Sequence, residues 1–108
     1  MKGFVYLLCD SGQDNMFKIG VTKTNIEKRI KKLQTGNGNE IFLSKYYETD
    51  YPFYIEKMLH QKHCPERGIG EWFELTSDSF FDFIKDCQFF ENLANTMKDN
   101  PFFNKDLK

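Results

Sequence analysis

The stretch that decides the fold is residues 3–21, which consists of GFVYLLC, then DSGQDN, then MFKIGV. The first run is short, apolar and aromatic, a pattern typical of a strand buried on both faces. Six turn-forming residues follow it. The last run alternates, which puts Phe17, Ile19 and Val21 on one face of a second strand. Together these segments predict a β-hairpin.

A helix and a third strand are predicted next. Thr24-Asn25-Ile26-Glu27 has the form of a capping box, in which two side chains satisfy free amides at a helix start. A helix should therefore begin near Asn25, with an apolar stripe at Ile26, Ile30 and Leu33. The residues TGNG at 35–38 end it, and residues 41–48 predict a strand.

The second half of the chain predicts two more helices. One runs from about Pro52 to His63, and a brief extended segment follows at residues 72–75. Thr76 or Ser77 then begins a third helix, whose core-facing residues are Phe80, Phe81, Phe83, Ile84 and Cys87. The pattern weakens after residue 92, and Asn100-Pro101 should stop any helix before Phe102-Phe103. The fold class predicted is α+β, a three-stranded antiparallel sheet flanked by helices, with an extra C-terminal helix.

Length and composition fit one small domain. The chain has 108 residues, 40% of them hydrophobic, and its twelve Phe and five Tyr can supply a core. No apolar run approaches membrane-spanning length, and no signal-peptide pattern is present, so we expect no membrane partner. The three cysteines, Cys9, Cys64 and Cys87, lack a CxxC spacing, which favours a reducing, intracellular location. No pattern indicates an oligomeric state.

Charge is divided unequally along the chain. The net charge is -1, but residues 1–70 hold eleven Lys/Arg against eight Asp/Glu, and residues 71–108 hold four against eight. The first segment is therefore +3 and the second -4. Residues 18–32 concentrate the positive charge at Lys18, Lys23, Lys28, Arg29, Lys31 and Lys32. This cluster is either a phosphate-attracting patch or a solvated helix face.

A helical wheel separates Arg29 from its basic neighbours. With 100° per residue, Arg29 is the basic residue nearest the apolar stripe, and Lys28, Lys31 and Lys32 lie on the outer side. An arginine at a core boundary can present its guanidinium to a phosphate in a cleft while its stem packs. The alternative is an arginine that only covers the core.

On the second helix, Glu56 and His60 are one turn apart, beside the stripe formed by Tyr54, Ile55, Met58 and Leu59. A carboxylate beside a histidine can hold one divalent ion that keeps several waters. An exposed pair without chemical consequence is the alternative. His60, His63 and Cys64 could also bind zinc, although they lack the paired second cluster typical of zinc sites.

The order of these features resembles the GIY-YIG nuclease superfamily. Val5-Tyr6 is followed by Lys18-Ile19-Gly20, then by Arg29 in one helix and Glu56 in the next. The wider strings KIGVT, LQTGN and GEWFEL are most similar to a phage- and virus-rich subgroup of small proteins in that superfamily. The resemblance implies a nuclease domain over residues 1–75, with residues 76–108 as a C-terminal helical extension packed on it.

The resemblance also implies roles for individual residues. Tyr6 would help to activate the attacking water, Arg29 would steady charge on the scissile phosphate, and Glu56 would bind one Mg²⁺ or Mn²⁺ ion. Gly20 would let the backbone pass close under the groove. The expected activity is metal-dependent endonucleolytic hydrolysis of DNA. Further DNA contacts are expected at Lys23, Lys28, Lys31, Lys32, Gly20 and Asn37.

Three departures from the superfamily pattern affect the proton pathway. Lys18 replaces the second motif tyrosine, Leu33 replaces a histidine, and a C-terminal asparagine motif is missing from the sequence. Lys18 can bind a phosphate oxygen but is no phenolic base, so Tyr6 and His60 are the candidates for proton transfer. The alternative function is a DNA-binding or protein-interaction module that keeps the fold and cleaves poorly.

Overall fold

A four-stranded antiparallel sheet forms the centre of the protein, in a computed structural model that describes residues 2–68 and 72–99. Its spatial order is β3-β1-β2-β4. The strands are β1 (Gly3–Asp10), β2 (Gln13–Thr22), β3 (Ile41–Thr49) and β4 (Trp72–Glu74). The predicted hairpin is confirmed, since β1 and β2 pair from Phe4↔Thr22 onward.

The sheet has one strand more than the three predicted. The brief extended segment, β4, pairs with β2 at Met16, Phe17 and Lys18 and so extends the sheet. A strand of three residues carries too little periodicity to reveal its partner, because pairing is decided by contacts distant in sequence. The α+β class itself is confirmed.

In the part of the chain that the structure describes, four helices pack against this sheet. They are α1 (Ile26–Thr35), α2 (Pro52–Lys62), α3 (Ser77–Phe81) and α4 (Phe83–Met97), and a 3₁₀ turn, Cys64–Glu66, follows α2. Among the described residues, none of the helices is long and apolar enough to cross a membrane.

Helix α1 begins where predicted but with a different cap. The side chain of Asn25 accepts hydrogen bonds from the backbone N–H groups of Glu27 and Lys28, at 2.7 and 3.4 Å. Thr24, the cap predicted from the capping box, instead shares a hydrogen bond with the Thr22 hydroxyl at 3.2 Å. The capping-box pattern favoured Thr24, but Asn caps helices as well as Thr does, so the cap one residue later costs the helix nothing.

The predicted third helix is two helices. Thr76 caps α3 by accepting from the Ser79 N–H, and the chain breaks at Asp82 before α4 continues to Met97, past the expected weakening. The break leaves Phe81 71% exposed, so its predicted burial was wrong, whereas Phe83 is buried. The expected stop at Asn100-Pro101 and the pair Phe102-Phe103 lie outside the described residues.

The two faces of the sheet are covered by different helices. On one face, Tyr6, Leu8 and Ile41 form a cluster against Ile30 and Leu33 of α1. On the other, residues of α2 and α4 enclose the alternate residues of β1 and β2, in a cluster that contains Val5, Leu7, Ile19, Ile55, Leu59, Phe83, Cys87 and Phe90. Strand β1 is thus buried on both faces, as its continuous apolar run predicted.

Candidate functional site

Tyr6 and Arg29 meet on the α1 face of the sheet. Tyr6 is almost fully buried, and Arg29 lies on the exposed side of α1. The Arg29 Nε donates a long hydrogen bond of 3.3 Å to the Tyr6 hydroxyl. Gly20 is the cross-strand partner of Tyr6, and a Cβ added there would lie 2.5 Å from the tyrosine ring. The missing side chain of Gly20 therefore lets the ring lie directly on β2.

A basic groove of about 410 Å³ lies beside this pair. Half of its lining is uncharged and consists of Val21, Thr22, Thr24 and Phe53. The other half is basic and consists of Lys23, Lys28, Arg29 and Lys32. The Lys23 ammonium lies 5.1 Å from the centroid of the Phe53 ring. We call this surface the Arg29 groove. The wheel put Lys28 and Lys32 on the outer side of α1, but both line the groove with Arg29, whereas Lys31 is exposed outside its lining.

Lys18 lies on the same face but further along β2. Its cross-strand partner is Leu8, so its side chain emerges on the side of Tyr6, two residues from Gly20. The Lys18 ammonium lies 5.9 Å from the centroid of the Trp72 ring. Lys18 also lines a second depression, of about 340 Å³, together with Lys32, Asn37 and Trp72. The α1 face therefore carries Tyr6, Lys18 and Arg29 of the expected site.

Glu56 and His60 belong to α2, which packs on the opposite face. The His60 Nε2 lies 2.9 Å from the Ile19 carbonyl oxygen, and its ring lies against Phe73. Strand β4 covers β2 only as far as Lys18, so His60 contacts the first residue of β2 beyond β4. This side of α2 therefore lies at the edge of β2. Glu56, one turn before His60, is half-buried there.

The described residues give little support to a zinc site. His63 is buried, with its Nδ1 2.7 Å from a Glu66 carboxylate oxygen, and His60 bonds to Ile19. Residues 2–68 and 72–99 contain no group of three His, Cys, Asp or Glu residues placed to hold a metal ion. Glu56 lines a depression of about 590 Å³ with Lys57, His60, Gln61, Cys64 and Arg67. A site with a single carboxylate ligand is typical of Mg²⁺ or Mn²⁺ that keeps several waters, and is not typical of an ion held by protein ligands alone.

Two residues near the site were not singled out from the sequence. Phe53 lines the Arg29 groove, and Trp72 packs on the cluster around Tyr6 and contacts Lys18. Trp72 could have been found, because it is the single tryptophan and opens a segment with strand propensity. Its neighbourhood with Lys18 depends on the pairing of β4 with β2, for which the sequence gives no local signal.

Comparison with known proteins places the chain in a family. No curated protein and no solved structure matches it. The family model described as the T5orf172 domain matches residues 3–88, which is most of the chain and includes the start of α4. This domain is phage-associated and nuclease-like. On the strength of that match, together with the basic groove that α1 and β2 form, the protein belongs to the T5orf172 domain family.

Proposed function

We propose that this protein is an intracellular, metal-dependent endonuclease of the GIY-YIG type that hydrolyses DNA phosphodiester bonds. The observation that supports this most is the hydrogen bond between Arg29 and Tyr6 at the wall of a basic groove. Membership of a nuclease-like family supports the same reaction class. The order of Tyr6, Gly20, Arg29 and Glu56 along the chain favours the GIY-YIG type.

The Arg29 groove suits a phosphate backbone. Three lysines, Lys23, Lys28 and Lys32, surround Arg29, and the N-terminal 70 residues carry a net charge of +3. Lysines beside a groove attract DNA by releasing its condensed counterions, without regard to base sequence. We infer that these lysines bind the strand and that Arg29 contacts the phosphate that is cleaved.

Arg29 is the residue best prepared to stabilise charge on that phosphate. A bond through Nε fixes the plane of the guanidinium, and a planar fork of donors matches phosphate geometry. Donors positioned before the reaction stabilise developing charge without a reorganisation cost. Because Tyr6 is almost fully buried, we propose that its hydroxyl acts mainly by holding Arg29, in addition to any proton relay.

His60 is a second candidate for proton transfer. A carbonyl oxygen can only accept, so in the bond with Ile19 the His60 Nε2 carries the hydrogen. In the neutral ring, Nδ1 is then the acceptor. A histidine with this tautomer, at the edge of β2, can take a proton from water through Nδ1.

Glu56 is the residue that would hold the metal ion. It is half-buried beside His60, and a single carboxylate is compatible with an ion that keeps several waters and also binds a substrate phosphate. Such an ion would supply Lewis-acid stabilisation to the phosphate and leaving oxygen. The chain's own contribution would be one carboxylate on α2, one turn before His60.

A binding module without efficient cleavage is the second candidate function. The observation that favours it is Lys18, which replaces a tyrosine and lies beside Trp72 at a distance of 5.9 Å. Such a module would bind DNA with salt-dependent affinity and without a metal requirement.

Supercoiled plasmid with Mg²⁺, Mn²⁺ or EDTA tests the proposal. The intact chain should nick or cut the plasmid only with metal. Glu56→Ala should abolish that cleavage, while Glu48→Ala, on the exposed part of β3, should leave it unchanged. Arg29→Ala should lower the rate about 100-fold, the usual effect of losing one charge-stabilising donor. Lys31→Ala should lower it only slightly.

Two results would contradict the proposal. Full cleavage by Glu56→Ala would exclude Glu56 as the metal residue. Salt-sensitive DNA binding by the intact chain, with no cleavage under any metal condition, would favour the binding module.

A further inference from the structure

Trp72 lies at the junction of two surface depressions. The larger measures about 340 Å³ and the smaller about 160 Å³, and both are lined by Trp72 and Asn37. The indole ring packs on the cluster of Tyr6, Leu8 and Ile41 and is only half-buried. A rigidly packed, partly exposed aromatic ring is a surface on which a nucleobase can stack, whatever its identity.

The larger depression is basic and continues the Arg29 groove. Lys18 and Lys32 line it, and Lys32 also lines the Arg29 groove. A strand whose phosphate contacts Arg29 can therefore extend past Lys32 toward Lys18. The Lys18 ammonium already lies 5.9 Å from the indole centroid, so a phosphate bound there would bring its base close to Trp72.

The smaller depression offers hydrogen-bond acceptors. Asp10, Gln13 and Met16 line it, with Asn37 and Trp72. The Asp10 carboxylate accepts from the Gly12 N–H at 2.8 Å and from the Asn37 amide at 3.2 Å, and these bonds lower the pKa of Asp10. Asn37 donates a second bond to the Asn39 carbonyl at 2.7 Å. Both amide hydrogens of Asn37 are thus used, and an ionised Asp10 repels phosphate but accepts N–H groups.

We propose that this joint surface, the Trp72 subsite, binds one nucleotide of an unpaired DNA strand. Its phosphate lies at Lys18 and Lys32, its base stacks on Trp72, and the N–H edge of the base faces Asp10 and Asn37. A base inside a duplex is already paired and stacked, so only an unpaired nucleotide can occupy the surface in this way. The inference rests on the proposed function, and it specifies the substrate as DNA with a single-stranded segment beside the cleaved phosphate. It also makes Lys18 a substrate-binding residue.

The single tryptophan allows a direct test. The emission of Trp72 is measured in EDTA, with the intact chain, while a mixed-sequence single strand of roughly eight nucleotides is added, a length typical of single-strand sites. We expect saturable quenching. A strand of equal length without bases should bind with little quenching, and a free nucleoside monophosphate should need a concentration at least about 10-fold higher. Duplex DNA of the same sequence should bind without quenching.

Variants then separate stacking from charge, with affinity measured by the anisotropy of a labelled strand. Trp72→Leu should weaken binding about 5- to 100-fold, the range for losing one stacked base, and Trp72→Phe should retain most of it. Lys18→Met should lower the affinity for the strand with bases and for the strand without bases by the same factor. Lys85→Met, on the exposed side of α4, is the charge control and should change neither.

Several results would overturn the inference. They are unchanged emission on binding of the strand, quenching by duplex alone, equal affinity for the free nucleotide, or equal losses in Trp72→Phe and Trp72→Leu. Plasmid cleavage with Mn²⁺ is measured in parallel. Cleavage without quenching would refute the Trp72 subsite and leave the proposed nuclease function intact. Quenching without cleavage would support the Trp72 subsite and refute the nuclease function.

Discussion

At position 20 the chain has room for a hydrogen atom and nothing larger. An added Cβ would lie 2.5 Å from two ring carbons and the hydroxyl oxygen of Tyr6, and Tyr6 is too buried to move away cheaply. The same ring carries the hydroxyl that accepts from Arg29. The absent side chain of Gly20 therefore controls, through Tyr6, where the guanidinium lies.

Gly20→Ala should consequently reduce activity more than it reduces folding. Overpacking of this kind costs about 1–3 kcal/mol of stability, while a displacement of about 1 Å at a reacting group can cost 100-fold in rate. Gly38→Ala is the matched control, since its added Cβ meets no atom within 4 Å. Plasmid cleavage and thermal unfolding are measured for both variants. Equal activity of the two would show that Tyr6 does not position Arg29.

The wheel predicted part of this arrangement from the sequence. It put Arg29 at the border of the apolar stripe, and Ile30 and Leu33 do pack against the sheet. The contact with Tyr6 joins residues 23 positions apart, and helical periodicity contains no information about which strand residue lies opposite. Cross-strand partners such as Tyr6 and Gly20 follow from hairpin register, which becomes predictable only when the turn length is known.

At the scale of elements, Glu66 of the 3₁₀ turn connects the end of α2 to the start of α3. Its carboxylate bonds to His63 at the end of α2, to the Thr76 N–H at 3.2 Å and to the Ser79 hydroxyl at 3.4 Å. Partial burial raises the pKa of Glu66, but the hydrogen bonds from His63, Thr76 and Ser79 outweigh it, so the pKa lies below its usual value of 4.5. The ionised form therefore holds the end of α2 to the start of α3.

This arrangement predicts a loss of stability in acid. A carboxyl whose pKa is lowered by folding stabilises the protein above its unfolded pKa, and this stability disappears as the pH falls through the folded pKa. Glu66→Gln should therefore be less stable than the intact chain near pH 7 and should approach it near pH 3. Urea unfolding across that range, with Glu48→Gln as an exposed control, measures the effect. A difference that stays constant with pH would contradict the role of ionised Glu66.

The type of an element was predictable where its periodic pattern extends over many residues. The exact ends of elements were not predictable. Helices α1 and α2 have stripes over ten and eleven residues, and both begin within a residue or two of their predicted starts. The break at Asp82 was missed, because no proline or glycine near Asp82 signals it in the sequence.

At the scale of the whole molecule, the acidic residues of α4 and the basic residues of α1 lie on opposite faces of the sheet. Helix α4 contacts α2 and β3 on the face opposite α1, and Asp86 of α4 pairs with Lys62 of α2 at 2.7 Å. Net charge alone does not reveal this division. Asp86 and Glu91 of α4 can therefore coexist with DNA at the Arg29 groove, because the sheet separates them from it.

The same arrangement makes α4 part of the one core that supports the groove. Phe83 of α4 is almost fully buried in the cluster with Leu7 and Ile19, whose strands carry Tyr6 and Gly20 on their other face. A disturbance on this side should therefore reach the site through the sheet.

Phe83→Ala, compared with Phe81→Ala, tests that conclusion. Truncating a buried phenylalanine costs about 3–5 kcal/mol, a large part of the stability of a small domain, so Phe83→Ala should unfold at much lower urea or temperature. Phe81 is 71% exposed, and its truncation should change stability by no more than about 0.5 kcal/mol. Circular dichroism during unfolding gives both values. If the two variants were equally stable, α4 would be an appendage, and removal of residues 76–108 would leave a folded domain instead of the insoluble fragment we expect.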